Sequence, residues 1–316
     1  MPGALLLNEA DVTGLLDIDE LLEALAAGFR AISADEVAAP PRGQLHVEGA
    51  GQLLLMPAHA PGLPIGTKLV TVFPGNHHAG IPSHFGLIVL MDAATGTPLA
   101  LVDGNHITAM RTAGASLLAA KLLARPDSRV LTILGSGVQA QAHLELMTRH
   151  FDLETIFIGS DDHIGAARLA GRDFRARVVD DYEAAVRQSD MICLCSSASQ
   201  PLIRNGWLRP GQHVSSVGFA PPGGELDPAI AANHKLYVEA KIAFAPAPAG
   251  CAELTGIDPA DGAELGEVLL GRKPGRESPD EITVYKAMGH AIEDLVTADL
   301  VYRRAVERSI GQTIQL

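Results

Sequence analysis

The chain has 316 residues, 47% hydrophobic and 19% charged, which is enough for about two globular domains with sizeable cores. Its formal net charge of −13 argues against a nucleic-acid or anionic-membrane surface, since both need clustered cations. The opening MPGALLLNEADV lacks a basic start and a long apolar core, and no run approaches the roughly 20 apolar residues of a membrane span. Cys193, Cys195 and Cys251 form no disulfide framework and point to a reducing, cytoplasmic setting.

Asp17 caps the first predicted helix, with Glu20 three residues on, and Ile18, Leu21, Leu22, Leu25, Phe29 and Ile32 recur at helical spacing. After AAPPRG the period shortens. QLLLMPA, TKLVTVF, GLIVLMD and PLALVDG read as strands separated by Gly, Pro and Asn, the last two joined by a hairpin at AATGT. Strands in succession without helices predict an antiparallel sheet. From about residue 105 the pattern changes. NHITAMRTAGASLLAAKLLAR reads as a helix; RVLTILG, VQAQAHLELMTRH, ETIFIGS, HIGAARLAGRD, ARVVD, DYEAAVRQS and DMICLCS then alternate strand with helix. QHVSSVG and KLYVEA add further strands. This alternation predicts a Rossmann-type, doubly wound, mostly parallel sheet. A last long helix is expected over about 284–308, and its pattern assigns it to neither domain. Cys193 and Cys195 read as small residues of a core strand rather than as metal or redox groups.

The turn GSGVQA follows the apolar strand VLTIL and opens a helix, the context a dinucleotide fingerprint needs. Gly135 permits the tight turn, Gly137 lets the backbone approach a pyrophosphate, and Ala140 replaces the helix-packing glycine. The helix N-terminus offers N–H groups and a positive dipole end to the phosphates. The next strand ends in FIGSDDH, where Asp161, or Ser160 if that residue is the strand tip, would meet the ribose hydroxyls. No Lys or Arg follows before Arg168, so NAD is favoured, with NADP left open.

Cations in the front half are few: between residues 31 and 120 they are Arg42, Lys68 and Arg111. Arg42 follows two prolines. Lys68 lies among apolar neighbours, either on an exposed edge or desolvated, and desolvation would lower its pKa towards proton transfer. Arg111, near a helix start, could grip a carboxylate or phosphate bidentately. His77, His78 and His84 lack helical i,i+4 spacing and are interrupted by Gly and Pro, so a loop near a ligand is favoured over a metal site.

These blocks together resemble a known family. PPRG, GTKLVTVFPGN, GIPSHFGLIVLMDAATGTPLALVDGNHITAMRTAGAS and ILGSGVQAQAH occur in the order seen in the ornithine cyclodeaminase/μ-crystallin family. NGWLRPGQHVSSVG, ELGEVLLGRKPGR and VYKAMGHAIEDL continue the resemblance to near the end of the chain. It implies an α/β homodimer with a strand-rich α+β domain for substrate and dimerisation, residues 1–115 with 290–316, and a Rossmann domain, residues 116–289. It further implies that Arg42, Lys68 and Arg111 surround a substrate carboxylate, that Lys68 carries a proton, and that Arg111 reaches the cofactor phosphate. By the same resemblance Val138 and Gln139 would cradle the pyrophosphate. Ser83, Ser197 and the segment Ser216, Val217, Gly218, Phe219 would line the cofactor, with Met288 by the nicotinamide.

Departures from the family pattern matter. In VGFAPPGGELD, Ala220 stands where cyclodeaminases carry a catalytic Asp, Gly224 stands near their lysine, and Asp227 is too far downstream to replace either; Ala287 replaces a usual serine. Loss of a base costs about 10²- to 10⁴-fold in rate. The favoured expectation is therefore NAD(P)-dependent hydride transfer at the Cα of a small amino or imino acid, as in a ketimine reductase or amino-acid dehydrogenase. A cyclodeaminase-type lyase that recycles its NAD, and a nonenzymatic cofactor-binding protein, are the alternatives.

Overall fold

The computed structural model describes residues 3–315 apart from Pro221 and Pro248, and, within that span, not the side chains of His77 and His78. The part of the histidine reading that rests on those two side chains therefore lies outside the described residues. The chain folds into two compact units, Met1–Arg111 with His290–Leu316, and Thr112–Gly289.

In the first unit β1 (Ala4–Leu7) is followed by α1 (Glu9–Leu15) and α2 (Ile18–Ser33). Asp17 caps α2, its side chain accepting from the Glu20 amide at 3.0 Å. The strands β2 (Gly43–Val47), β3 (Gly51–Ala58), β4 (Ile65–Val72), β5 (His84–Met91) and β6 (Pro98–Asp103) then form an antiparallel meander that ends at α3 (Gly104–Leu123). The sheet is not wholly antiparallel, because β1 joins it parallel to β6.

The second unit alternates strand and helix. It runs β7 (Val130–Leu134), α4 (Val138–His150), β8 (Thr155–Gly159), α5 (His163–Ala170), β9 (Ala176–Val178), α6 (Tyr182–Gln188), β10 (Met191–Leu194) and β11 (His213–Ser216). After these come α7 (Pro228–Asn233), β12 (Lys235–Val238), β13 (Gly262–Glu264), α8 (Leu265–Leu269) and β14 (Thr283–Lys286). The strand order is β13-β12-β14-β11-β10-β7-β8-β9, and every neighbouring pair is parallel. The order reverses beside β7, between β8 and β10, which is where doubly wound sheets bind ligands at their carboxyl ends.

The long helix expected over 284–308 is two elements. Thr283–Lys286 is the strand β14, and the helix α9 starts only at Ala291, running to Arg308. The physical reason lies in the residues: TVYK is β-branched and aromatic, buried throughout, and pairs with both β11 and β12. Gly289, with φ +81, then breaks the chain before His290 caps α9. A short β15 (Gln312–Ile314) returns to pair with β1.

Side-chain alternation divides the first sheet. On one face Leu54, Met56, Lys68, Ile88, Leu90 and Val102 are buried. Helix α9 packs on this sheet at β3, β4 and β5, and on α2. Gly66 makes the approach possible, since a Cβ there would lie 2.7 Å from a Leu295 methyl carbon. On the opposite face Leu45, Leu55, Ile65, Phe85, Leu87 and Met91 are exposed.

Candidate active site

Lys68 sits in the middle of β4, paired across the sheet with Met56 and Ile88, and is 3% exposed. The desolvated alternative is the one realised. Because Gly66 and Lys68 share a face, the close seating of α9 at Gly66 brings Asp294 to the lysine. The ammonium lies 2.8 Å from both Asp294 carboxylate oxygens and 3.4 Å from the Thr108 hydroxyl of α3. One turn on from Thr108, Arg111 is 4% exposed and divides its guanidinium between two acids. Its Nε donates to Asp294 and its Nη1 to Glu293, each at 3.1 Å.

The electrostatics follow from burial. Desolvation pushes Lys68 down to about 8, against the pull of Asp294, while Arg111 adds to the fall. Burial raises Asp294 too, but Arg111 and Lys68 outweigh it and hold the carboxylate below its usual range. Glu293 goes the other way, burial lifting it despite Arg111. His290 caps α9 beside these acids, and its own amide donates to Glu293 at 2.7 Å. Arg42 precedes β2 and is close enough to His290 to act on its imidazole. The first unit thus gathers Arg42, Lys68 and Arg111 around the start of α9. Sequence reading missed Glu293, Asp294 and His290. Their signal was available: adjacent acids in an otherwise apolar helical run, AIEDLVTADLV. Ser83 lies at the far end of the β4–β5 hairpin, its hydroxyl 2.9 Å from His84 Nδ1, and is not part of this cluster.

In the second unit, the turn after β7 has the features a dinucleotide needs. Gly135 takes φ +132, and a Cβ on it would lie 2.3 Å from the Cys195 carbonyl oxygen after β10. Only glycine fits there. Gly137 is the N-cap of α4, makes no side-chain cap bond, and has open space where a Cβ would point. Val138 is exposed at the first turn, Gln139 is half-buried, and Ala140 is fully buried. At the tip of β8 the Ser160 hydroxyl lies 3.0 Å from that of Ser136, inside the glycine turn. Asp161 is exposed. Asp162, not singled out from sequence, caps α5 through the Gly165 amide and reaches Ser136 at 3.4 Å. Both carboxylates therefore sit at the strand end expected to meet a ribose.

The segment Val217–Phe219 after β11 is held by two buried groups that sequence reading also missed. Glu225 accepts from the Gly218 amide at 2.6 Å, the Ser216 hydroxyl at 3.0 Å, and the Ser196 amide and hydroxyl, both at 2.7 Å. Lys286 donates to the Gly218 carbonyl at 2.6 Å and the Ser216 hydroxyl at 3.2 Å, and pairs with Glu253 at 2.9 Å. Ser197, next to Ser196, is exposed. The Met288 amide donates to Glu239 at 3.0 Å, which fixes the chain there. Asp227 is occupied by caps, accepting from the Ala229 and Asn205 amides at 3.0 Å each. A Cβ at Gly224 would lie 1.8 Å from Glu253 Oε1, so a side chain there requires Glu253 to move. Cys193, Cys195 and Cys251 are free and buried, and among the described residues no group of three or more His, Cys, Asp or Glu is placed to hold a metal. No helix among the described residues is long and apolar enough to cross a membrane.

Known proteins share this fold. The model of the ornithine cyclodeaminase/mu-crystallin family matches residues 4–309. The chain belongs to that family. It is 38% identical to the ketimine reductase mu-crystallin of Mus musculus over 285 residues, covering 89% of this chain and 90% of that protein. Among solved structures it is similar to Thermococcus litoralis Delta(1)-pyrroline-2-carboxylate reductase in complex with NADH and L-proline. There the TM-score is 0.93 at 33% identity, covering 98% of this chain and 100% of that one. An archaeal alanine dehydrogenase dimer with bound NAD gives a TM-score of 0.89 at 32% identity, with 99% of each chain covered. As a family member the chain combines a doubly wound parallel unit with a mixed, strand-rich one.

Proposed function

We propose that this protein is an NAD-dependent reductase of small 2-imino acids, working equally as an amino-acid dehydrogenase in the oxidative direction. The observation that carries the reading is the buried Lys68, poised near neutral pH against Asp294 and flanked by Arg111. The reductase and dehydrogenase relatives, with their NADH and NAD complexes, support it.

The residues present fit the cofactor. The glycine-lined approach at Gly135 and Gly137 suits the pyrophosphate, the carboxylates at Asp161 and Asp162 suit ribose hydroxyls and disfavour a 2′-phosphate, and Val217–Phe219 and Met288 are rigidly held. When bound, NADH supplies a hydride to the imine carbon. Arg42 and Arg111 orient the substrate carboxylate, so that the imine nitrogen faces Lys68. The Lys68 ammonium gives its proton to that nitrogen, completing the amine, and regains one from solvent. Asp294 keeps the lysine charged until the proton is needed. By the family resemblance, the cyclodeaminase alternative lacks its acid at Ala220 and its lysine near Gly224.

The active species is a homodimer in this reading. The exposed apolar residues of the first sheet's outer face, Leu45, Leu55, Ile65, Phe85, Leu87 and Met91, are a contiguous patch of the kind monomers avoid. The dimeric alanine dehydrogenase relative supports the same conclusion. The test is transfer of deuterium from 4-labelled NADH to Cα, with one NADH oxidised per amine formed, across cyclic imines and 2-oxo acids with ammonia. Absence of transfer across the whole panel overturns the reading.

A further inference from the structure

Resting on that reading, the geometry points to His290 as a substrate-binding residue, a neutral imidazole whose Nε2–H donates to the substrate carboxylate beside Arg42. The argument begins with the cap of α9. The Ile292 amide donates to His290 Nδ1 at 3.2 Å, so that nitrogen must carry a lone pair. The proton of the neutral ring is thereby placed on Nε2, the opposite edge of the imidazole. The ring is largely buried without being sealed from solvent, and among the described residues Nε2 has no hydrogen-bond partner. A helix cap would be served as well by Ser, Thr, Asp or Asn, but none of these short side chains places a donor as far from the cap as Nε2.

The surroundings say what that donor meets. Arg42 and Arg111 stand close enough to act on the ring, with Asp294 acting in the opposite sense and Glu293 held by the His290 amide. Burial, helped by the two arginines, pushes the imidazole down to about 4, so Nδ1 keeps its lone pair and the cap at neutral pH. An acceptor that sits near two guanidinium groups and also accepts from a neutral N–H is a carboxylate oxygen. Glu293 and Asp294 are already engaged by Arg111, so that oxygen comes from the ligand. Sequence reading passed over His290 because a histidine in KAMGHAIEDL looks like the interior of the long helix it expected.

The two ring nitrogens can be tested apart. His290→Asn keeps an acceptor where Nδ1 stands and removes the distal donor. His290→Gln reaches the Nε2 position with an amide N–H and gives up the cap. With Delta(1)-pyrroline-2-carboxylate and NADH, H290N is expected to raise KM for the imino acid roughly tenfold to a hundredfold. Its KM for NADH and its Tm stay at wild-type values. H290Q is expected to lower Tm while holding the imino-acid KM near wild type. An H290N enzyme with wild-type imino-acid KM overturns the assignment. So does one whose Tm and NADH affinity fall together, since that is the behaviour of a cap alone. So does a failure of H290Q to hold the imino-acid KM. A wild-type enzyme inert on every imine removes the reductase reading, and this assignment with it. An active wild type indifferent to H290N removes only the assignment.

Discussion

Lys68 and Lys286 are both buried, each with a carboxylate oxygen within 2.9 Å, one in each unit. Their other partners differ. Lys286 donates to the Gly218 carbonyl, so its charge is tied to main chain and shapes the loop after β11. Among the described residues the acceptors of Lys68 are side chains, Asp294 and Thr108, and burial takes it to about 8. A buried ion pair is therefore no sign of chemistry by itself. What marks Lys68 is that its ammonium, with no anchor to main chain among the described residues, is balanced between desolvation and the Asp294 carboxylate.

The sharpest way to break this comparison is to remove each charge. Lys68→Met is expected to cut kcat for imine reduction by about 10²- to 10⁴-fold, with NADH affinity unchanged by fluorescence titration. A loss below tenfold would show that Lys68 is scaffold like its counterpart. Asp294→Ala strands Lys68 and leaves Arg111 with Glu293 alone, and urea denaturation should show a loss of about 3–5 kcal/mol. On the other side, Glu225→Gln should raise KM for NADH about tenfold, because the Gly218 and Ser196 amides lose their anchor. Its imino-acid KM should stay put; a change in both would blur the division between the units. The mildest test is pH. Lys68 is protonated below its pKa, so reductive kcat should be flat below pH 8 and fall above it, while amino-acid oxidation rises over the same range. Asp294 raises the Lys68 pKa, so in Asp294→Asn the falling limb should move to lower pH.

The second unit was largely legible because strand and helix periods alternate there, and because Gly135 and Gly137 stand between an apolar strand and a helix. The tail was misread where two periods abut. TVYK is too short to declare itself a strand beside the long helix α9, and its identity comes from pairing with β11 and β12. The three cations were visible because they are rare in the front half. Their acids were not, because Asp294 reaches Lys68 across 226 residues of sequence, and no local pattern encodes such a contact. Glu225 and Lys286 escaped for a different reason. Their partners include backbone groups of loops that acquire a shape only when the sheet forms.

The outer face of the first sheet has a further consequence. If Phe85, Leu87 and their neighbours leave water only when two chains meet, part of the folding free energy is a second-order quantity. Diluting the protein then does what a mild denaturant does. The melting temperature should climb with protein concentration, and enzyme assayed at nanomolar levels should lose activity over time in a way that added product or cofactor slows. A substitution such as Leu87→Asp, on the opposite face of the sheet from Lys68, would make a weaker enzyme by the law of mass action.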